Sequence, residues 1–355
     1  MKKSCLIVTL LLCLTILPGC VEKKVIDDVN IATGIGIDKS EKQFLGSIMI
    51  PVFKPDKSFG NFTFKAKGKV IRDLVSEMQK KASQPIVSGS LDIALFGEDV
   101  AREGLINTLD VFLRDPSVGA RVQLAVVNGK AIDIFKGKYG DRGNAQYLTQ
   151  LLEHNMEQQN LPLTNLHRFL AAFYQKGMDP YLPMLKKSSR NLVTISGLAL
   201  FKDEKLVDIL HENKMYYFKL LVDHHTLGVV KVKEAHGEST VKSIGLKKNI
   251  RLKGRNPYTF SIKIKLKGDL TEHQERILEK GEIREIENKL AQQISKECKM
   301  LIEEFQRKNI DPVGFGHFAK TRTRNFDYKK WNEEYKNAKF EVSADVKLIG
   351  HGVVE

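Results

Sequence analysis

The stretch Leu91-Asp92-Ile93-Ala94-Leu95-Phe96-Gly97 decides how this chain is read. It is a short apolar run closed by glycine, the signature of a strand. Val100, Ala101, Leu105, Leu109 and Phe112 then recur at helical spacing, and Arg114-Asp115-Pro116 ends that helix. Arg121 to Asn128 reads as a second strand, closed by Gly129. Strand, helix and strand over this length predict a βαβ crossover, right-handed if the strands are parallel.

Toward the N-terminus, Val29 to Ile37 is β-rich. Asp38-Lys39-Ser40 is read as a turn into a second strand, Gln43 to Val52, with Pro51 and Pro55 ending the pairing. Phe62 to Lys65 alternates. Val70, Ile71, Leu74, Val75 and Met78 then share one face of a helix over residues 69–82, stopped by Ser83-Gln84-Pro85. Toward the C-terminus, Leu148, Leu151 and Leu152, then Leu166, Phe169, Leu170 and Phe173, mark two further helices. A loop with Gly177, Pro180 and Pro183 leads to Lys186-Lys187-Ser188-Ser189-Arg190, the expected domain boundary.

Beyond it, Leu192 to Phe201 is a strand, Lys202-Asp203-Glu204-Lys205 a turn, and Glu212 to Leu221 a helix. Ile250 and Leu252 alternate with Arg251 and Lys253. Ile262, Ile264 and Leu266 alternate with Lys263, Lys265 and Lys267. A hairpin with one apolar and one basic face results, turning at Gly254-Arg255-Asn256-Pro257. Ile283, Ile286, Leu290, Ile294, Cys298, Leu301 and Phe305 step by three or four residues along a long helix. A shorter helix over Tyr328 to Lys336 and a closing strand, Phe340 to Ile349, complete the chain. Strands and helices mix in both halves. The fold class is therefore α+β, several mixed sheets with packed helices, over a signal segment 1–19, a region 20–190 and a region 191–355.

The first residues stand outside that fold. Lys2 and Lys3 precede an apolar run from Leu6 to Leu17, about 12 residues long, which suits a signal peptide. A membrane span needs roughly 20. Leu17-Pro18-Gly19-Cys20 has the form of a lipobox, in which Cys20 is diacylated and becomes the first residue. The rival reading is an ordinary signal-peptidase site beside a chance cysteine. Cysteine usage favours the lipobox: Cys5 and Cys13 leave with the signal, and only Cys20 and Cys298 remain, too few for a disulfide framework. Two acyl chains give stable attachment where one gives little.

The formal charge is +14. For an exported, tethered chain, anionic headgroups are a nearer partner for that charge than nucleic acid. Solubility alone is the plainer account. Lys242, Lys247, Lys248, Arg251, Lys253, Arg255, Lys263, Lys265 and Lys267 fall in a segment without acidic residues until Asp269. They could face an acidic partner or an anionic surface, or merely protect strand edges from aggregation.

Catalytic signatures are nearly absent. There is no G-x-S-x-G, P-loop, H-E-x-x-H or C-x-x-C. Gly314-Phe315-Gly316-His317-Phe318-Ala319 matches the loose dinucleotide pattern, but it follows a helix and Pro312, so a flexible loop is expected. His224-His225 reads as a solvated turn, Ser88-Gly89-Ser90 as a polar loop, and Cys298 as a small core residue. Glu98, Asp99, Arg102 and Glu103 form the polar side of a helix start. No catalytic, metal-binding or cofactor-binding residue is nominated, and Cys20 is the one site residue.

Several segments together resemble the C-subunit lipoproteins of spore nutrient-germinant receptors, the Ger(x)C type. They are Leu17-Pro18-Gly19-Cys20, Ile-Ala-Thr-Gly-Ile-Gly-Ile-Asp at 31–38, Ser88-Gly89 and Leu95 through Leu105. Leu109-Asp110, Arg114-Asp115-Pro116, Gly197 through Lys202 with Lys205-Leu206, Asp311 through Gly316, and Trp331 follow in order. Val21 departs from the aromatic residue common after the lipobox cysteine, and Val207-Asp208 from a Gly-Trp-like pair. The resemblance implies a non-enzymatic, lipid-anchored α+β subunit of three subdomains on the outer face of the spore inner membrane. It would work with two integral-membrane germinant receptor subunits, of A- and B-type, in sensing nutrients such as amino acids or sugars. Two other classes stay open: a lipid-anchored solute-binding protein, which needs a cleft with convergent polar and aromatic groups, and a lipid-anchored hydrolase, for which no nucleophile and base can be named.

Overall fold

The computed structural model describes residues 28–53, 55, 59–225, 227–233, 237–273 and 280–350. Cys20 and the signal segment lie outside the described residues. The apolar run that opens the reading is strand β6, Ile93–Gly97, buried at every position. It pairs in parallel with β2, Gly34–Ser40, on one side and with β7, Gln123–Val127, on the other. The continuous apolar pattern follows from that position: alternate residues enter two different cores, Ile93 and Leu95 on one face, Ala94 and Phe96 on the other.

Around this parallel centre the sheet reaches eight strands, in the order β10-β9-β8-β7-β6-β2-β3-β4. The flanking strands are β3, Gln43–Phe53; β4, Phe59–Gly68; β8, Tyr181–Ser189; β9, Leu192–Lys202; and β10, Lys205–His211. All but β8 join their inner neighbour antiparallel. A two-stranded parallel piece, β1 (Asn30–Ile31) with β5 (Ile86–Val87), lies apart from it. One face carries α1, Ile71–Gln79; α3, Ile106–Arg114; and α6, Leu166–Tyr174. The short α2, Glu98–Glu103, lies on the same side, placing Val100 and Ala101 in that core. On the other face lie α4, Ala131–Phe135; α5, Asn144–Gln158; and α7, Glu212–Val222.

That second core runs on without interruption into a four-stranded sheet ordered β11-β12-β13-β14. Its strands are β11, Gly228–Lys233; β12, Glu238–Arg255; β13, Tyr258–Glu272; and β14, Lys339–Gly350. The long helix α8, Lys280–Arg307, packs on its inner face through Ile286, Leu290, Ile294, Cys298, Leu301 and Phe305. Two short helices, α9 (Phe315–Arg322) and α10 (Tyr328–Glu334), connect α8 to β14. Mixed sheets with packed helices make this the expected α+β fold. The expected boundary at residue 190 coincides with the tip of the β8–β9 hairpin, and β9 and β10 from beyond it complete the eight-stranded sheet.

Four local expectations are corrected. The single helix after β6 is two, because Gly104 takes φ +129 and ends α2; Glu204 from the β9–β10 turn then receives the Leu105 and Ile106 N–H groups that begin α3. The β2–β3 turn is at Glu41 and Lys42, with Glu41 in the left-handed region, so Asp38 belongs to the strand. Pro51 lies within β3, opposite Asn61 of β4, on a stretch that β2 does not reach. The pattern Gly314 to Ala319 is the start of helix α9 rather than a loop.

Asp38 is fully buried, and its carboxylate accepts the Ala131 N–H at 2.6 Å and the Ile132 N–H at 2.9 Å, starting α4 against the sheet. Asp38→Ala strands two buried donors and is expected to lower the unfolding free energy by about 2–4 kcal/mol. Asp141→Ala, on an exposed loop, should stay within about 0.5 kcal/mol of the parent. Urea titration of the three proteins checks this.

Candidate functional site

The two halves meet at a pair of buried carboxylates. Asp179 precedes β8 and Asp311 follows α8, and each is nearly sealed from solvent. Asp311 starts α9: its Oδ1 accepts from the Gly314 and Phe315 N–H groups at 2.9 and 3.0 Å, and its Oδ2 from Gly316 at 2.7 Å. Asp179 receives the Asp311 N–H at 2.7 Å, the Asp203 N–H at 3.3 Å and the Lys202 ammonium at 3.1 Å. The Asp179 N–H returns a bond to the Asp311 carbonyl. One step along, the His317 N–H bonds to the Gly177 carbonyl at 2.9 Å. A Cβ on Gly177 would lie 2.6 Å from that nitrogen, and one on Gly316 2.5 Å from the Trp331 indole nitrogen, so only glycines let these backbones meet.

Burial pushes the Asp311 carboxyl upward, with Asp179 adding to it; the three N–H bonds pull it back, and it rests at about 7. Tyr335 closes the floor by donating to the Ile310 carbonyl. Above lies an open cleft of about 460 Å³ with Gln175, Lys176, Asn309, Tyr328, Lys329 and Asn332 on its walls. The carboxylates at its floor are turned to internal partners. The arrangement is a joint between the halves rather than a set of groups converging on a ligand.

A second polar staple joins α5, α7 and the four-stranded sheet. Lys219 is 1% exposed and spends its three donors on the Met156, Gln159 and Leu227 carbonyls. Lys248 donates to the Leu221 and Asp223 carbonyls. Burial pushes both ammonium groups down to about 8, against the pull of Asp223. Lys248 is thus a structural lysine on the inner face of β12 and is removed from the expected basic surface.

The rest of that surface is as expected. Lys263, Lys265 and Lys267 are exposed on β13 between buried Ile262, Ile264 and Leu266. Structure adds what sequence could not: parallel pairing brings β14 alongside, and its Glu341 meets Lys253 at 2.5 Å.

The remaining candidates resolve simply. Cys298 is fully buried and its thiol is pushed far up, an inert core residue. His224 and His225 are exposed after α7, and no metal-binding cluster occurs among the described residues. Ser88 donates to Asp115. Burial pushes that carboxyl up, but hydrogen bonds from Ser117 and Ser88 outweigh it and hold it below its ordinary value, a poor base for a nucleophile. Glu98 and Arg102 form an exposed i,i+4 pair. Among the described residues no helix is long and apolar enough to cross a membrane.

Between about pH 4 and 7, the folded chain holds a proton on Asp311 that the unfolded chain releases. Stability is therefore expected to fall as pH rises through that window and to level off above it. Asp311→Asn should flatten this slope in urea melts at successive pH values, whatever its overall loss of stability.

Both halves match one group of known proteins. Residues 22–187 match the family described as "Spore germination protein N-terminal domain", and residues 196–352 the one described as "Spore germination B3/ GerAC like, C-terminal". The spore germination protein GerQC of Bacillus cereus is 30% identical over 345 residues, covering 95% of this chain and 96% of that one. Spore germination protein B3 of Bacillus subtilis (strain 168) is 23% identical, covering 95% of each. The crystal structure of the GerBC protein has the same fold, with a TM-score of 0.62 at 20% identity, over 89% of this chain and 97% of that one.

Proposed function

The chain belongs to the Ger(x)C family of spore germination proteins, and from that premise we propose that it is the lipid-anchored subunit of a nutrient germinant receptor. The observation that carries this reading is the end-to-end similarity to GerQC, which includes both halves of the chain. Family membership supports a role in spore germination. In the proposed form, residues 1–19 are removed as a signal peptide, and Cys20 is diacylated and holds the protein at the outer face of the spore inner membrane. Regions 20–190 and 191–355 form the body, which docks integral-membrane subunits of the A- and B-type.

It acts by assembly and not by catalysis. The inward-turned polar groups of the junction suit a fixed scaffold, and the chain's surfaces do the work. A free solute-binding protein would instead use the cleft as its site, yet the carboxylates at the cleft's floor are already engaged by the protein itself.

A strain lacking the gene should form normal spores that fail to respond to the nutrient its receptor serves. The intact gene should restore the response. Cys20→Ala should not restore it, and should leave the chain out of the spore membrane fraction. Normal germination of the deletion strain on every nutrient, with no redundant receptor present, overturns the role. Full rescue by Cys20→Ala overturns the anchor.

A further inference from the structure

We propose that the open face of the four-stranded sheet docks on an anionic phospholipid surface. Its inner face is covered by α8, while among the described residues no element covers the lysines of the outer face. Lys247 of β12, Lys263, Lys265 and Lys267 of β13, and Lys347 of β14 are exposed there and take part in no ion pair among the described residues. The register sets like charges side by side: Lys247 opposite Lys265, and Lys267 opposite Lys347. Such pairs destabilise a sheet, so the fold carries them against its own interest. Of the acids nearby, Glu341 is taken by Lys253, while Asp345 stands opposite Lys265 and Asp269 opposite Lys242, neither in an ion pair among the described residues.

Edge protection accounts for part of this charge only. Lysines on β14, and on the part of β12 that β11 does not reach, guard sheet edges. β13 lies between β12 and β14, has no free edge, and carries three of the five lysines. They recur about 7 Å apart along the strand and face one side, a broad charged surface rather than a pocket.

The chemistry favours lipid over a protein partner. Protein interfaces are depleted in lysine and centre on aromatic or arginine anchors, and no aromatic side chain stands on this face among the described residues. Lysine is a flexible point charge suited to a diffuse layer of headgroups, and lacks the fork that reads one fixed carboxylate. Each lysine near such a surface strengthens binding roughly fivefold.

The test is independent of the lipid on Cys20, because it uses residues 21–355 without acylation. Retention on vesicles of phosphatidylcholine with about 30 mol% phosphatidylglycerol is compared with retention on phosphatidylcholine alone. The chain should bind only the anionic vesicles and be released by salt. Replacing Lys247, Lys263, Lys265, Lys267 and Lys347 by Gln should weaken binding by roughly tenfold or more. Replacing Lys42, Lys65, Lys67, Lys130 and Lys138 by Gln, all exposed on the other half, should change it by no more than about twofold. Thermal melts confirm that both variants fold. Equal loss in the two variants, or no retention on anionic vesicles, overturns the proposal. So does a face variant that keeps its vesicle binding but no longer joins the membrane subunits, which assigns the face to an acidic protein.

Discussion

Everything C-terminal to α8 depends on where Asp311 is held. Its backbone is pinned to Asp179 at the start of β8, and its side chain organises the first turn of α9. From there the chain can only run over Gly177, place Trp331 against Gly316, and return as β14 beside β13. A carboxylate this deeply buried is tolerated because both its oxygens receive backbone N–H groups. Removing those bonds would push the Asp311 carboxyl further up and leave a protonated acid short of partners in the joint between the halves.

The joint is backed by apolar packing that crosses the same boundary. One core runs from Met49 and Leu95, through Tyr216 and Phe218, to Phe260, Phe305 and Phe340. Phe218 meets Phe305 edge to face with ring centres 5.7 Å apart, linking α7 directly to α8. The buried ammonium of Lys219 adds a third tie between α5, α7 and the loop before β11. A body held this way presents fixed surfaces, which suits the proposed role in a receptor, and offers little room for the hinge that a clamshell binding protein needs.

Elements whose cause is local were legible in the sequence. β6 declared itself because a strand buried on both faces is apolar at successive positions, and α8 because its stripe steps regularly over many turns. The lysine–isoleucine alternation of β13 gave the basic face directly. What escaped was decided by distant partners. Gly104 breaks a continuous apolar stripe because Glu204, far along the chain, takes over the N–H groups of the next helix. Asp38 resembles a turn residue until its two donors are found in the N–H groups of Ala131 and Ile132. Lys248 belongs by sequence to the basic run, and only the closeness of α7 shows its ammonium buried among carbonyls. The Asp179–Asp311 pair carries no motif of its own, although Asp311 through Gly316 was among the segments that resembled the family.

The claim that the halves form one fixed body can be tested through Trp331, the only tryptophan, which is buried at the joint. Chains of this length commonly unfold in more than one step, so agreement between probes would be informative. In urea, the fluorescence of Trp331 and the far-ultraviolet ellipticity of the whole chain should lose their native signals along one curve with a common midpoint. Loss of the Trp331 signal at lower urea, with the ellipticity of the eight-stranded sheet intact, would mean that the halves are hinged, and would contradict the fixed joint.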